Sequence, residues 1–262
     1  MDFDLTHKRA VVGGSTQGIG RAVAEALAGL GCSVTLLARD AVKLQEVCAA
    51  LPVVAGQQHD YLVADFGRLE EVRAVIGQWA AARTEAHILV NNTGGPPGGP
   101  ITEATTEAFA AAFAQHLQCN QILAQALLPL MRRAGWGRIV NVISTSVKQP
   151  IPGLGVSNTI RAAVANWAKT LSLEVAPHGI TVNNVLPGAT DTQRLRGLIE
   201  QWAARDGIAP DEMVRRMEAS IPARRFATPA EVAAAVVFLA SPAAAYVNGI
   251  NLPVDGGRTG NL

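Results

Sequence analysis

Short apolar, β-branched runs alternate along this chain with longer Ala-rich segments of helical period. The short runs are RAVVGG, SVTLLAR, QQHDYLVADF, HILVNN, GRIVNVIS, GITVNNVLP and NGINLPVDGG. Each is of strand length and most are bounded by Gly, Pro, Asn or Asp. Between them, Gly18 to Leu30, Ala41 to Ala50, Leu69 to Ala82, Glu103 to Arg133, Val156 to Ala176 and Pro229 to Ala240 read as helices. Strand followed by helix, repeated, predicts a parallel sheet covered on both faces, because parallel strands need a crossover and crossovers are right-handed. The segment Gln193 to Ser220 breaks this rhythm: it is polar and helical, and it falls between the sixth and seventh strands. It is expected as an insertion over the carboxyl edge of the sheet.

Composition narrows the function classes. With 262 residues, 49% hydrophobic and 16% charged, the chain can bury one large core, and no repeat, charge block or Pro/Ser linker divides it. A single domain over residues 1–262 is expected. Lys and Arg number 22 against 21 Asp and Glu, for a net charge of +1, and no basic face gathers along any segment. That argues against a nucleic-acid partner. Cys32, Cys48 and Cys119 are odd in number, with no C-x-x-C and no paired His, so neither a disulfide framework nor a metal site is suggested. The opening stretch MDFDLTHKRAVVGGS holds no apolar run long enough for a signal or a membrane span. The expectation is a soluble, cytoplasmic protein with no membrane partner.

Candidate chemistry begins after the first strand. In VVGGSTQGIGRAVAEALAGLG, Gly14, Gly18 and Gly20 lie between a strand and a helix, where absent side chains let backbone N–H groups and a helix N-terminus approach a pyrophosphate. The same glycines would also serve a tight turn with no ligand. The second strand ends in LLARD: Arg39 can pair with a ribose 2′-phosphate, which favours NADP(H), whereas Asp40 beside it keeps NAD(H) open. Asp65 closes the third strand, and NNTGG closes the fourth.

Taken together, GGSTQGIG, ADF, NNTGG, GRIVNVIS, APHGITVNNVLPG and IPARRFATPAEVAAAVVFLAS…NGINLPVDGG resemble the short-chain dehydrogenase/reductase family, and within it the 3-oxoacyl-acyl-carrier-protein reductase-like members. The resemblance covers residues 6–257. It implies a single-domain Rossmann fold, a doubly wound seven-stranded parallel sheet, binding a nicotinamide dinucleotide. It also implies roles for particular residues. Gly14, Gly18, Ile19 and Gly20 match the phosphate turn, with Gly13 replacing a usual Thr. Asp65 matches the acid that meets the adenine amino group, and Asn91 with Gly94 the segment beside the adenine ribose. Pro187, Gly188 and Thr192 match the stretch flanking the nicotinamide.

The catalytic half departs from the family. Such enzymes carry Tyr-x-x-x-Lys on the helix after the fifth strand, a Ser about thirteen residues before the Tyr, and an Asn on the preceding helix. Ser144 keeps the Ser position, but Ser157 stands for the Tyr, Arg161 for the Lys and His116 for the Asn, with Asn120 one turn later. Two anchors, Ser144 and Glu174, give the same register. A Ser hydroxyl is a far weaker acid than a phenol and is much shorter, while Arg161 can still hold ribose hydroxyls. The remaining tyrosines, Tyr61 and Tyr246, belong elsewhere in the chain. His116 titrates near neutrality as a free side chain and could donate the proton while Ser144 polarises a carbonyl; the alternative is a buried, hydrogen-bonded helix residue.

Three functions compete. The first is an NADP(H)-dependent oxidoreductase of a carbonyl or alcohol with an altered proton donor, and the second an NADP-binding regulatory or assembly protein without catalysis. The third is a non-redox enzyme, because halohydrin-dehalogenating relatives also carry Arg at the Lys position. Those relatives keep the Tyr and lose the Gly-rich turn, the reverse of this chain, so the third is disfavoured. The partner expected is a small molecule, with an acyl thioester as one form. Residues 193–220 read either as a substrate lid, carrying Trp202, Met213 and Met217 beside Arg194, Arg196, Arg215 and Arg216, or as an amphipathic surface pair. Arg224 and Arg225 either meet an anionic carrier or cap that segment. The resemblance implies a homodimer or homotetramer.

Overall fold

The computed structural model describes residues 2–261. Seven strands form one parallel sheet in the order β3-β2-β1-β4-β5-β6-β7: β1 (Arg9–Gly13), β2 (Ser33–Ala38), β3 (Asp60–Val63), β4 (Ile88–Asn91), β5 (Gly137–Val142), β6 (Ile180–Pro187) and β7 (Asn251–Val254). Adjacent residues on a strand point to opposite faces, and both faces here are apolar. Val12, Leu36, Val90 and Val140 pack against α1 (Gly18–Gly29) and α9 (Pro229–Ala240). Their neighbours Val11, Leu37, Leu89 and Ile139 pack against α3 (Leu69–Ala81) and α5 (Cys119–Ala134). Every residue of β5 is buried, as expected for a central parallel strand with helices on both sides. The edge strand β3 instead alternates half-buried and exposed.

α2 (Ala41–Ala50) and α6 (Gly155–Val175) complete the crossovers, close to their expected bounds. The long helix expected over Glu103 to Arg133 is interrupted. A 3-10 turn at Ile101–Glu103 precedes α4 (Thr106–Phe113), and a π-helical turn, Ala114–Gln118, joins α4 to α5. That turn carries buried His116, and π turns of this kind concentrate at functional sites. The segment 193–220 forms two helices, α7 (Gln193–Asp206) and α8 (Pro210–Ala219). They share a small apolar cluster with Ile199, Ala203, Met213 and Ile221 at its centre.

A row of amides crosses the second half of the sheet. Asn91 on β4 donates to Asn141 on β5 at 2.8 Å, Asn141 donates to Asn184 on β6 at 2.8 Å, and Asn184 donates to Asn251 on β7 at 2.8 Å. These residues are register partners, so one polar row links four adjacent strands. The strand order turns back between β1 and β4, and the crevice beyond that point is where open α/β sheets hold ligands.

Candidate nicotinamide-nucleotide and substrate site

A cavity of about 580 Å³ runs along the carboxyl edge from the turn after β1 to the underside of α7. At its first end the backbone dictates the residues. Gly14 and Gly18 have φ of 57° and 55°, a region that favours glycine, and a Cβ on Gly14 would lie 2.7 Å from the Asn92 carbonyl. A Cβ on Gly20 would stand 2.2 Å from the Gly14 carbonyl, so Gly20 serves close packing of helix on turn and is not on the cavity wall. Gln17 caps α1 with no side-chain hydrogen bond, and the first turn has no acidic residue. The N-terminal N–H groups of α1 and its positive dipole end are thus free for an anion. This cradle fits a dinucleotide pyrophosphate.

Ile19, Arg39, Asp65 and Gly94 line the same half. Asp40 does not. Its carboxylate caps α2, accepting from the Lys43 N–H at 3.1 Å, and lies 3.5 Å from the Lys43 ammonium. Asp65 accepts from the Gly67 N–H at 2.8 Å. Asn91, expected beside the adenine ribose, is held in the amide row and is absent from the wall. Asn92 lines the wall instead: its amide donates to the carbonyls of Gly13 and Gly14 at 3.2 and 3.3 Å, tying the β4 loop to the glycine turn. The reason is the pleat, since successive side chains alternate sides and only the second Asn of the pair can face the cavity.

At the other end, Ser144, Ser157, Arg161, Pro187, Gly188 and Thr192 share the wall. Ser144 leaves β5 as the cap of a 3-10 turn, its hydroxyl accepting from the Ser146 N–H at 3.1 Å. Ser157 and Arg161, four residues apart, lie one turn apart on α6. Arg161 is 8% exposed; its Nη1 donates to the Val142 carbonyl at 2.8 Å, while its Nε is buried without a partner. Burial, with the nearby Arg194 guanidinium, lowers its pKa to about 10. His116 lies behind the wall. Its Nδ1 pairs with the Thr93 hydroxyl, its Nε2 is buried without a partner, and burial reinforced by Arg161 and Arg194 pushes its pKa down to about 2. His116 is therefore a neutral, buried imidazole at working pH. Of the two tyrosines, Tyr61 sits on β3 and Tyr246 on the open surface; neither reaches the cavity.

A family model described as Enoyl-(Acyl carrier protein) reductase matches residues 14–259. An uncharacterized oxidoreductase of Mycobacterium tuberculosis (strain CDC 1551 / Oshkosh) is 33% identical over 98% of this chain and 94% of its own length. The chain belongs to the short-chain dehydrogenase/reductase family. Among members of this family, the NADPH-dependent reductase BacG of Bacillus subtilis (strain 168) is 29% identical over 97% of this chain and 98% of its own. The L-sorbose reductase of Gluconobacter frateurii, solved in complex with NADPH and L-sorbose, superposes with a TM-score of 0.93 at 32% identity over 100% of both chains.

Most residues expected at the nucleotide half from the family pattern line the cavity, with Gly20 and Asn91 as the exceptions. The wall carries the Ser of that pattern in Ser144, with Ser157 and Arg161 beside it and no phenol. The structure adds residues that the motifs did not single out for the site. Thr93 brings its hydroxyl to His116, Gln115 reaches the wall from the π turn, and Arg258 returns from beyond β7. Thr93 was visible within NNTGG, but its partner was not; Arg258 has no local signal at all. Ile151, Leu154, Leu198, Trp202 and Met217 make the far part of the cavity apolar, so α7 and α8 pack on one another and both contribute residues to its wall.

Proposed function

We propose that this chain is an NADP(H)-dependent oxidoreductase that interconverts a carbonyl and an alcohol on a small molecule with an apolar body. One observation carries the reading: a single cavity joins the glycine turn to an apolar chamber beneath α7, passing Ser144, Ser157 and Arg161. When bound, the dinucleotide supplies or accepts a hydride at nicotinamide C4. The turn at Gly14, Gly18 and Ile19 receives its pyrophosphate, and Arg39 the 2′-phosphate. With Asp40 committed to capping α2, the acid that would select an unphosphorylated ribose is occupied, which supports NADP(H) over NAD(H). Asp65 and Gly94 take the adenosine half; Arg161, Pro187, Gly188 and Thr192 hold the nicotinamide half.

The Ser144 hydroxyl polarises the carbonyl. His116 is absent from the cavity wall, and burial lowers its proton affinity, so both its position and its charge state argue against it as the altered proton donor. The short Ser157 side chain leaves the cavity open beside Ser144, and the proton for the substrate oxygen comes from water ordered there by the two hydroxyls. The missing phenol equally supports a second reading, an NADP-binding protein of regulatory or assembly function that turns nothing over. The apolar chamber suits an acyl group, including an acyl thioester. Phe113 and Leu173, 41% and 67% exposed on α4 and α6, support a homodimer or homotetramer.

The test is a fluorescence titration with NADPH and NADH, followed by NADPH oxidation against ketones, oxo acids and β-ketoacyl thioesters. Tighter binding of NADPH with substrate-dependent oxidation is expected. Binding without turnover on any carbonyl selects the second reading; binding of neither nucleotide overturns both.

A further inference from the structure

The substrate end of the cavity holds positive charge with nothing to balance it. Arg161 and Arg194 both line the wall, and neither forms an ion pair among the described residues. The sole carboxylate on that wall among the described residues is Asp65, which belongs to the adenine end. The two guanidiniums are held by backbone carbonyls instead: Arg161 Nη1 donates to Val142, and Arg194 Nη2 to Pro96 on the loop after β4. That leaves donors over. Arg161 Nε is fully buried with no acceptor, in a side chain that is 8% exposed. Arg194 makes no other hydrogen bond among the described residues.

The placement of Arg194 is built. It stands in the first turn of α7, whose Thr192 cap accepts from the Leu195 N–H, and it reaches across the cavity to the β4 loop. There it lies against Gly95, where a Cβ would come 3.3 Å from Nη2 and 3.7 Å from Cζ, so the glycine gives the guanidinium room to lie close to the chain. Each arginine is close enough to lower the proton affinity of His116, and Arg194 also that of Arg161. Arg161 is a buried cation without a counter-charge, which is costly, and Arg194, exposed at the cavity mouth, adds a second positive charge near it. A planar carboxylate accepts the paired N–H bonds that a guanidinium fork donates. Beside them lies the apolar surface of Leu154, Leu198, Trp202 and Met217.

The geometry points to a substrate that is an oxo or hydroxy carboxylic acid, its free carboxylate seated on Arg194 beside Arg161 and its apolar body under α7. This rests on the oxidoreductase reading above and narrows it, since a thioester has no such anion. Arg194 is the specificity residue, and Arg161 supports it through its charge.

The experiment compares phenylglyoxylate and 2-oxooctanoate with their methyl esters, by calorimetry, on the protein with and without NADPH. The acids are expected to bind about tenfold to a hundredfold more tightly than the esters. Arg194→Gln is expected to abolish that preference with NADPH affinity unchanged, and Arg194→Lys to restore part of it. Acids that bind no better than esters overturn the assignment. So does an Arg194→Gln variant that loses NADPH affinity and keeps the acid preference, which would place Arg194 on the nucleotide. Failure of NADPH to bind counts against the oxidoreductase reading alone, because the acid preference is read on the nucleotide-free protein as well.

Discussion

Restoring the missing phenol and ammonium tests whether proton transfer alone limits this chain. The double variant Ser157→Tyr with Arg161→Lys places both groups on the cavity wall, one turn apart on α6. The cost at Arg161 is readable: its pKa falls from 12.5 to about 10, chiefly through burial. A lysine at the same place starts near 10.4. Burial lowers the pKa of a lysine there as well, and its ammonium beside the new phenol lowers the phenol's pKa. The lysine gives up the Nη1 bond to Val142, a net loss of about 1 kcal/mol of stability. General acid catalysis contributes about 10² to 10⁴ in rate, which is about 3 to 5 kcal/mol of barrier. The gain in kcat/KM for carbonyl reduction should fall in that range. It is followed by NADPH absorbance on the same substrate panel, with NADPH affinity measured in parallel. Reduction should slow as pH rises through the new phenol's pKa, because the deprotonated form cannot donate. A double variant that binds NADPH as tightly as the parent, yet gains less than about tenfold on every carbonyl, would refute the reasoning. The fault would then lie in how the chamber places the carbonyl.

Arg39→Asp removes the partner of the 2′-phosphate and introduces an acid at the ribose; NADPH affinity should fall by about tenfold or more while NADH affinity rises, in a paired titration. Asn141→Ala, at the fully buried centre of the amide row, loses two hydrogen bonds and strands Asn91 Nδ2 and Asn184 Oδ1. At about 1 to 3 kcal/mol for each unsatisfied group, urea denaturation should show a loss of about 2 to 6 kcal/mol. Stability should also fall with acid: His116 and His87 have folded pKa values of about 2 and about 4 against 6.5 when free, each lowered mainly by burial. The unfolded chain therefore binds more protons below pH 6.5, and stability is lost as pH falls through that window. At pH 5 the two histidines together amount to at most about 4 kcal/mol, and His116→Gln should make the slope of urea midpoint against pH shallower.

Strand and helix periods placed every crossover from the chain alone, and α9 matches its expected bounds. The helix over Glu103 to Arg133 did not emerge whole, because apolar spacing cannot register one extra residue in a turn; only the backbone shows the π turn at Ala114–Gln118. The Asn91–Asn92 pair shows the same limit at the site. Sequence order put both at the end of β4, but strand alternation sent Asn91 into the sheet and Asn92 to the glycine turn.

The sequence by itself determined the family, the glycine turn and the residues Ser157 and Arg161 four apart on one helix, because those are facts of residue type at fixed spacing. Tertiary structure alone decided the surroundings of the remaining groups. His116 reads as a titrating base in one dimension. Burial behind Thr93, with two guanidiniums nearby, makes it neutral. Arg194 reads as one surface arginine among several in a polar helix. Folding carries it across the cavity to the loop after β4 and beside Arg161, with no acid to meet it. Proton affinity and uncompensated charge depend on what lies within a few ångströms in space, and contacts between residues tens of positions apart leave no mark in local spacing.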